Sequence, residues 1–170
     1  MSIILWPVFL LLIVAFQGSA SNPIELGGIR PDFILITVYF LGILKGDVRG
    51  GLIGALLGFF LDITSAGPVY SNIFSKSFMG YLAGVIGRWV HNPGYLLHMG
   101  LIFLVSLMQG LIIFLIFSFL GTARFPGDIL YIAFPQAVFD GFIGAVVYSI
   151  MSFRKKMHSG LLIKYSGTTG

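Results

Sequence analysis

The amino-acid sequence predicts an all-α integral membrane protein, a bundle of six transmembrane helices. Three observations support this fold class: 57% of the 170 residues are hydrophobic, only 9% are charged, and the mean hydropathy is +0.99. A water-soluble domain of this size cannot bury so much apolar surface. In hydrocarbon only helices and closed barrels satisfy every backbone hydrogen bond, and these long apolar runs lack the alternation of barrel strands.

Six apolar segments approach or exceed the length of a membrane span, which is about 20 residues. They cover residues 3–20, 29–44, 48–65, 72–90, 95–120 and 129–153. The second and third are short, but their connector holds Lys45, Asp47 and Arg49, and a re-entrant hairpin would bury these charges at mid-membrane. We therefore predict complete crossings. Pro31 fits the first turn of the second helix, where a missing amide donor costs nothing.

The positions of the cationic residues predict the orientation, because cytoplasmic segments carry the excess of lysine and arginine. With both termini inside, the cytoplasmic segments contain Lys45, Arg49, Arg88, Arg154, Lys155, Lys156 and Lys164. The outer segments contain Arg30, Lys76 and Arg124. We expect a six-helix transmembrane domain over residues 1–153 and a basic cytoplasmic tail over residues 154–170. Gly18-Ser19-Ala20 resembles a signal-peptidase site, and cleavage there would leave five helices with the C-terminus still inside. Cleavage is the less favoured alternative, because no Lys or Arg precedes this apolar run and Pro7 interrupts its start.

Small residues repeat along three of the predicted helices and indicate faces at which helix backbones approach closely in lipid. The residues concerned are Gly46, Gly50, Gly54 and Gly58 on the third helix, Gly80 and Gly84 on the fourth, and Gly141 and Ala145 on the sixth. Either these lines pack the bundle internally, or one of them forms a groove for the transmembrane helix of a partner protein.

Polar residues inside or beside a span need partners. We interpret Gln109 and Asp140 as intramembrane residues that form structural hydrogen bonds, with ion or proton transport through Asp140 as a less favoured alternative. A second set is expected to form a polar cluster at the outer membrane surface, where long side chains can extend toward the headgroups. This set consists of Arg30, Asp32, Asp62 and Lys76.

No pattern in the sequence indicates catalysis, a metal or a cofactor. There is no cysteine, phosphate-binding loop, His-Glu-x-x-His pair or Gly-x-Ser-x-Gly turn. His91 and His98 could share a helix face, but no nearby carboxylate completes a metal site. We attribute the net charge of +4 to cationic residues that set the membrane topology. Nucleic-acid binding is not expected, because no soluble basic face is available.

Residues 50–67, GGLIGALLGFFLDITSAG, resemble the signature of the rod shape-determining protein MreD family. In that family a glycine-rich helix runs into Gly-Phe-x-x-Asp, here Gly58, Phe59 and Asp62, and a loop glycine follows, here Gly67. Ala66 stands where the family usually has leucine.

The similarity extends over nearly the whole chain. Pro31 and Phe33 resemble the opening of the family's second helix, and Tyr81 occupies the place of a recurrent tyrosine in the fourth. Chain length, helix count and the basic C-terminal tail also agree. In the last helix the family often has asparagine a few residues after a proline, whereas Asp140 follows Pro135 here.

This resemblance implies a non-enzymatic scaffold of the bacterial elongation complex (elongasome) in the inner membrane, binding membrane lipids and no nucleic acid. The expected direct partner is the membrane-anchored protein MreC. With it the chain would help couple the actin-like protein MreB to a RodA-type glycosyltransferase and its transpeptidase partner, and so to peptidoglycan synthesis and cell shape. On this hypothesis the glycine line of the third helix accepts the MreC helix, and Gly54→Leu or Gly58→Leu would abolish the association.

The family is also similar in fold to the six-helix substrate-binding subunits of energy-coupling-factor vitamin transporters. That similarity gives the alternative function, a vitamin-binding transporter subunit. Ala133, Ala137 and Ala145 would then form the surface that meets the energising partner.

Overall fold

The computed structural model describes Gln17 and residues 29–64, 70–90, 94–121 and 129–166, with side chains up to residue 153 except at 129 and 130. The regular elements in this part of the chain are helices. They are α1 (Phe33–Lys45), α2 (Asp47–Thr64), α3 (Ser71–Trp89), α4 (Tyr95–Phe119) and α5 (Phe134–Ser166), with a π-helical turn at Ile129–Ala133 before α5. The predicted helix over residues 3–20 and the possible cleavage site after it lie outside the described residues, apart from Gln17.

The all-helical prediction is confirmed over the described residues, and two of the helices there are long and apolar enough to cross a membrane. These are Tyr95–Phe119 and Tyr131–Phe153, while Phe33–Lys45 is a shorter apolar helix. The bounds of α1 to α4 differ from the predicted spans by no more than four residues. The last helix continues past the predicted end at residue 153 to Ser166.

Pro31 lies before α1 rather than in its first turn, which corrects the sequence-based expectation. The N-cap of α1 is Asp32, whose side chain accepts a hydrogen bond from the backbone N–H of Leu35. A capping carboxylate satisfies one of the free amide groups at a helix start, so the helix begins after Asp32.

The glycine line of α2 packs against α3 in an antiparallel register. Cβ atoms added to Gly54 and Gly58 would overlap the backbones of Lys76 and Asn72, and one added to Gly50 would overlap the backbone of Gly80. Contact residues spaced four apart along α2 therefore face residues spaced four apart along α3, in the opposite chain direction. The groove expected to accept a partner helix is filled by α3 of the same chain.

Three helix backbones converge at one point of this packing. A Cβ on Gly50 would lie 2.7 Å from the Cα of Gly42 in α1, and one on Gly42 would lie 2.6 Å from the carbonyl oxygen of Gly80 in α3. Gly84 meets the backbone of Asp47 at the start of α2. Only glycine permits such approach, so α1, α2 and α3 form one closely packed group.

Gly46 has a different role from the other glycines of its line. It connects α1 to α2 with φ +90, and a Cβ added there would have nothing within 4 Å. Its positive φ, which residues with a side chain rarely adopt, permits the tight turn. Gly46 is therefore a linker residue whose own Cβ position is open, while its backbone lies against Gly84 of α3.

The second packed group is the pair α4 and α5. A Cβ on Gly141 would lie 2.9 Å from the carbonyl oxygen of Met99, and Gly144 lies against Ile102. Ala145 is also buried, at 9% exposure. An apolar cluster that includes Tyr39, Met79 and Ile102 connects this pair to α1 and α3.

Replacing glycine by alanine adds one methyl group, and its effect on stability should differ between a packed glycine and an outward-facing one. Gly54→Ala should destabilise the chain by about 1–3 kcal/mol, the usual cost of overpacking. Gly100 of α4 has nothing within 4 Å of an added Cβ. Gly100→Ala should therefore leave stability unchanged or raise it by up to about 1 kcal/mol through helix propensity. Unfolding of both purified variants in mixed micelles of increasing SDS content measures the difference, and equal stabilities would contradict the assigned packing.

Candidate functional site: a buried polar cluster

The centre of the site is Asp32, which is 4% exposed at the start of α1. One carboxylate oxygen accepts hydrogen bonds from the Leu35 backbone N–H at 2.8 Å and from Gln17 Nε2 at 3.0 Å. Gln17 in turn accepts from the backbone N–H of Ile34 at 2.9 Å. Asp32 and Gln17 together satisfy amide groups that the first turn of α1 leaves free.

The second Asp32 oxygen forms a buried ion pair with Lys76 of α3. Lys76 is fully buried, and its ammonium also donates to Gln109 Oε1 of α4 at 3.0 Å. Gln109 Nε2 donates back to the same Asp32 oxygen at 2.8 Å. The three side chains thus close a ring of hydrogen bonds that joins α1, α3 and α4.

Asp140 extends this ring to α5. It is fully buried, and its two carboxylate oxygens accept from the Asp32 backbone N–H at 2.7 Å and from the Ser106 hydroxyl at 2.6 Å. These bonds span 108 and 34 residues of sequence. Asp140 therefore fixes α5 against both α1 and α4.

We define the buried polar cluster as Gln17, Asp32, Lys76, Ser106, Gln109 and Asp140. It lies between the α1–α3 group and the α4–α5 pair. Every cluster side chain has a hydrogen-bond or ion-pair partner within the cluster. In low dielectric an unpaired member would carry a large desolvation penalty, so the arrangement is stable only when complete.

The expected outer-surface cluster differs from what is observed. Lys76 does not extend toward headgroups, because Asp32 and Gln109 hold its ammonium in the interior. Asp32 and Lys76 join the two residues predicted to be intramembrane, Gln109 and Asp140, in one network. Arg30 is exposed.

Asp62 has a separate role, at the start of α3. Its carboxylate accepts from the backbone N–H groups of Asn72 at 3.1 Å and Ile73 at 3.0 Å, and from Asn72 Nδ2 at 2.8 Å. Tyr70, which precedes α3, makes no side-chain cap bond. Asp62 thus caps α3 from the end of α2, where a negative charge also complements the helix dipole.

Two smaller polar contacts lie away from the cluster. Arg88 pairs with Asp47, an ion pair that is 61% exposed on the arginine side. Tyr39 Oη and His98 Nδ1 share a buried hydrogen bond of 3.0 Å, and the His98 ring lies 4.2 Å from the Tyr148 ring, centroid to centroid. Within the described residues there is no group of three His, Asp or Glu side chains arranged to hold a metal ion.

Sequence reasoning missed two cluster members, Gln17 and Ser106. Ser106 is three residues before Gln109, so the two share one face of α4, and this spacing could have identified it. Gln17 lies near the end of an apolar run, and this position in the sequence does not indicate which residue it binds.

Residues 1–155 match the family described as rod shape-determining protein MreD. The chain belongs to the MreD family. The search found no match among the curated proteins or the solved structures.

Membership of the MreD family gives the chain a role in rod-shape determination and places it in a membrane. Its motif residues Gly58 and Asp62 acquire a physical explanation in this structure. Gly58 lets α2 contact α3 at Asn72, and one turn later Asp62 caps α3 at the same residue. The Gly-Phe-x-x-Asp pattern therefore fixes how these two helices meet.

Removing the charge of Lys76 tests whether the ion pair holds the helices together. Lys76→Met should destabilise the chain by about 3–5 kcal/mol, because it leaves a carboxylate buried and unpaired. The double variant Asp32→Asn/Lys76→Met should recover part of that loss, since neither charge remains. SDS unfolding of the two variants and of the exposed control Lys45→Met measures the effect. A loss in Lys76→Met no larger than in Lys45→Met would contradict a structural ion pair.

The capping role of Asp62 predicts a second difference. Asp62→Ala should lose roughly 1.5–3 kcal/mol of stability, the usual range for hydrogen bonds to a charged group. Asp47 is a matched control, because its ion pair with Arg88 is exposed and Asp47→Ala should cost only about 0–1 kcal/mol. Hydrogen exchange of the Asn72 and Ile73 amides should rise in Asp62→Ala alone. Protection equal to that of the wild type would contradict the cap.

Proposed function

We propose that this chain is a non-enzymatic scaffold subunit of the bacterial elongation complex. In this function it is a six-helix protein of the inner membrane with both termini in the cytoplasm. It binds MreC directly and helps couple MreB to a RodA-type glycosyltransferase and its transpeptidase partner. Family membership supports the role in cell shape, and the internal organisation of the polar residues supports the non-enzymatic part.

The observation that carries this proposal is that the buried polar groups bind one another. Both oxygens of Asp32 and both oxygens of Asp140 accept hydrogen bonds from this chain, and Lys76 pairs with Asp32. Enzymes and small-ligand sites instead direct a few polar groups into a concave pocket. Buried polar groups that bind one another hold the helices in a fixed arrangement. Such an interior suits a protein that binds its partners through its outer surface.

The packing also changes where MreC is expected to bind. Because α3 fills the glycine line of α2, the MreC helix has to meet an outward face of the bundle. Leucine at Gly54 or Gly58 would then abolish the association indirectly, by separating α2 from α3. The loss would appear together with a loss of stability, whereas a direct contact residue would reduce binding in a folded protein.

The substitution Asp140→Asn separates the scaffold from proton or ion transport. The new side-chain amide can accept from the Asp32 backbone N–H through its carbonyl oxygen and donate to Ser106 through its nitrogen, so it preserves the geometry without a titratable proton. We expect Asp140→Asn to retain rod shape and wild-type recovery of MreC in mild-detergent purification. Asp140→Leu, which can make neither bond, should reduce both.

The contradicting outcomes are distinct. Loss of rod shape in a stable Asp140→Asn protein that still binds MreC would favour chemistry at this carboxyl group. A small metabolite that co-purifies with nanomolar affinity would favour the alternative, a vitamin-binding transporter subunit. Absence of MreC from material purified from native membranes would contradict the scaffold directly.

A further inference from the structure

An apolar groove with a basic end runs along the outward side of α2 and α3. Its volume is about 380 Å³, within the range of small-molecule sites, roughly 300–1,000 Å³. Its lining residues are Val48, Gly51, Leu52, Phe74, Ser77, Phe78 and Tyr81. We propose that this groove binds one anionic phospholipid, with an acyl chain in the groove and the phosphate at the basic end.

The groove has apolar walls and a small-residue floor. Leu52 and Phe74 on the walls are 66% and 60% exposed. Gly51 forms the floor, and a Cβ there would lie 3.5 Å from both the Ser77 carbonyl oxygen and the Tyr81 Cβ. Bulky side chains beside a glycine floor make a shallow apolar groove that is open on its outer side, a shape that a flexible hydrocarbon chain can follow.

The antiparallel register locates the cations relative to the groove. Since Gly50 meets Gly80 and Gly54 meets Lys76, Arg49 lies at the level of Tyr81, at one end of the groove. Arg49 is also adjacent to Val48 in sequence. Lys45 is the last residue of α1 and directly precedes the Gly46 linker to α2. Arg88 lies two turns beyond Tyr81 on the same face of α3, since seven residues return nearly to the same angle.

The balance of charge at this end is positive. Lys45, Arg49 and Arg88 are exposed, and Asp47 pairs with Arg88, which leaves two net positive charges there. Lys45 and Arg49 have no ion pair within the described ranges. This is also the end that the orientation prediction places in the cytoplasm. Basic pockets between transmembrane helices on that side bind anionic headgroups.

A lipid suits the groove better than a partner helix does. Transmembrane helices associate through exposed small residues that let their backbones approach. Here Gly51 lies below aromatic walls, so an incoming helix would meet Phe74, Phe78 and Tyr81 first. A flexible acyl chain can enter between these side chains, and the cations then meet the phosphate.

Native mass spectrometry of the full chain in detergent tests this proposal with phosphatidylglycerol and phosphatidylcholine of identical acyl chains. We expect the wild type to retain phosphatidylglycerol preferentially. Arg49→Gln should weaken that retention by about fivefold, the contribution of one cation near an anionic surface. Arg30→Gln, which removes an exposed cation at the far end of α1, is the control and should retain the lipid as the wild type does.

A second pair of variants tests the groove itself. Gly51→Leu fills the floor and should reduce retention of phosphatidylglycerol, whereas Gly100→Leu, on an open face of α4, should not. Equal retention of the two lipids by the wild type would overturn the proposal, as would unchanged retention in Arg49→Gln. A benzophenone amino acid at Leu52 should cross-link to phospholipid in native membranes. A cross-link to a polypeptide instead would overturn the lipid assignment in favour of a protein partner.

Discussion

The buried pairing of Asp32 with Lys76 is the constraint on which the arrangement of this bundle depends. A lone ammonium or carboxylate in a membrane interior is costly, so each charge requires the other at a fixed position. Gln109 closes the ring from α4, and Asp140 binds the Asp32 backbone from α5. In lipid the hydrophobic effect does not drive helices together, because acyl chains are as apolar as leucine. Polar bonds and close packing must therefore determine which helices are neighbours.

Glycine packing and the polar cluster determine different parts of the helix arrangement. Gly42, Gly50 and Gly80 bring α1, α2 and α3 into backbone contact, and Gly141 does the same for α4 and α5. The cluster then orients these two groups relative to each other through Asp32, Lys76, Gln109 and Asp140. Within the described residues, the buried polar groups of the cluster are thus satisfied by the chain itself, and the outward faces are apolar. This organisation suits the scaffold function that we propose for the chain.

Much of this fold could be predicted from the sequence. The apolar runs located α1 to α4 within four residues, because span length is set by bilayer thickness. The glycine spacing identified the packing faces but not their partners, since periodicity carries no information about which helix lies opposite. For the same reason the sequence predicts Asp32 and Lys76 at the outer surface with Asp62. Their actual partners, Gln109 and Asp140, lie on helices far away in sequence. The spacing from Gln109 could have identified Ser106, whereas the role of Gln17 required the three-dimensional structure.

The most direct test of the account measures the distance between the two helix groups. The chain contains no cysteine, so spin labels can be placed at Leu56→Cys on α2 and Leu111→Cys on α4, both outward-facing. Pulsed electron paramagnetic resonance in lipid nanodiscs should give one narrow distance distribution in the otherwise wild-type chain. Asp32→Ala should broaden or shift it, while Arg88→Met, which breaks only the exposed ion pair, should leave it unchanged. A narrow, unshifted distribution in a folded Asp32→Ala protein would contradict the claim that the polar cluster holds the two groups together.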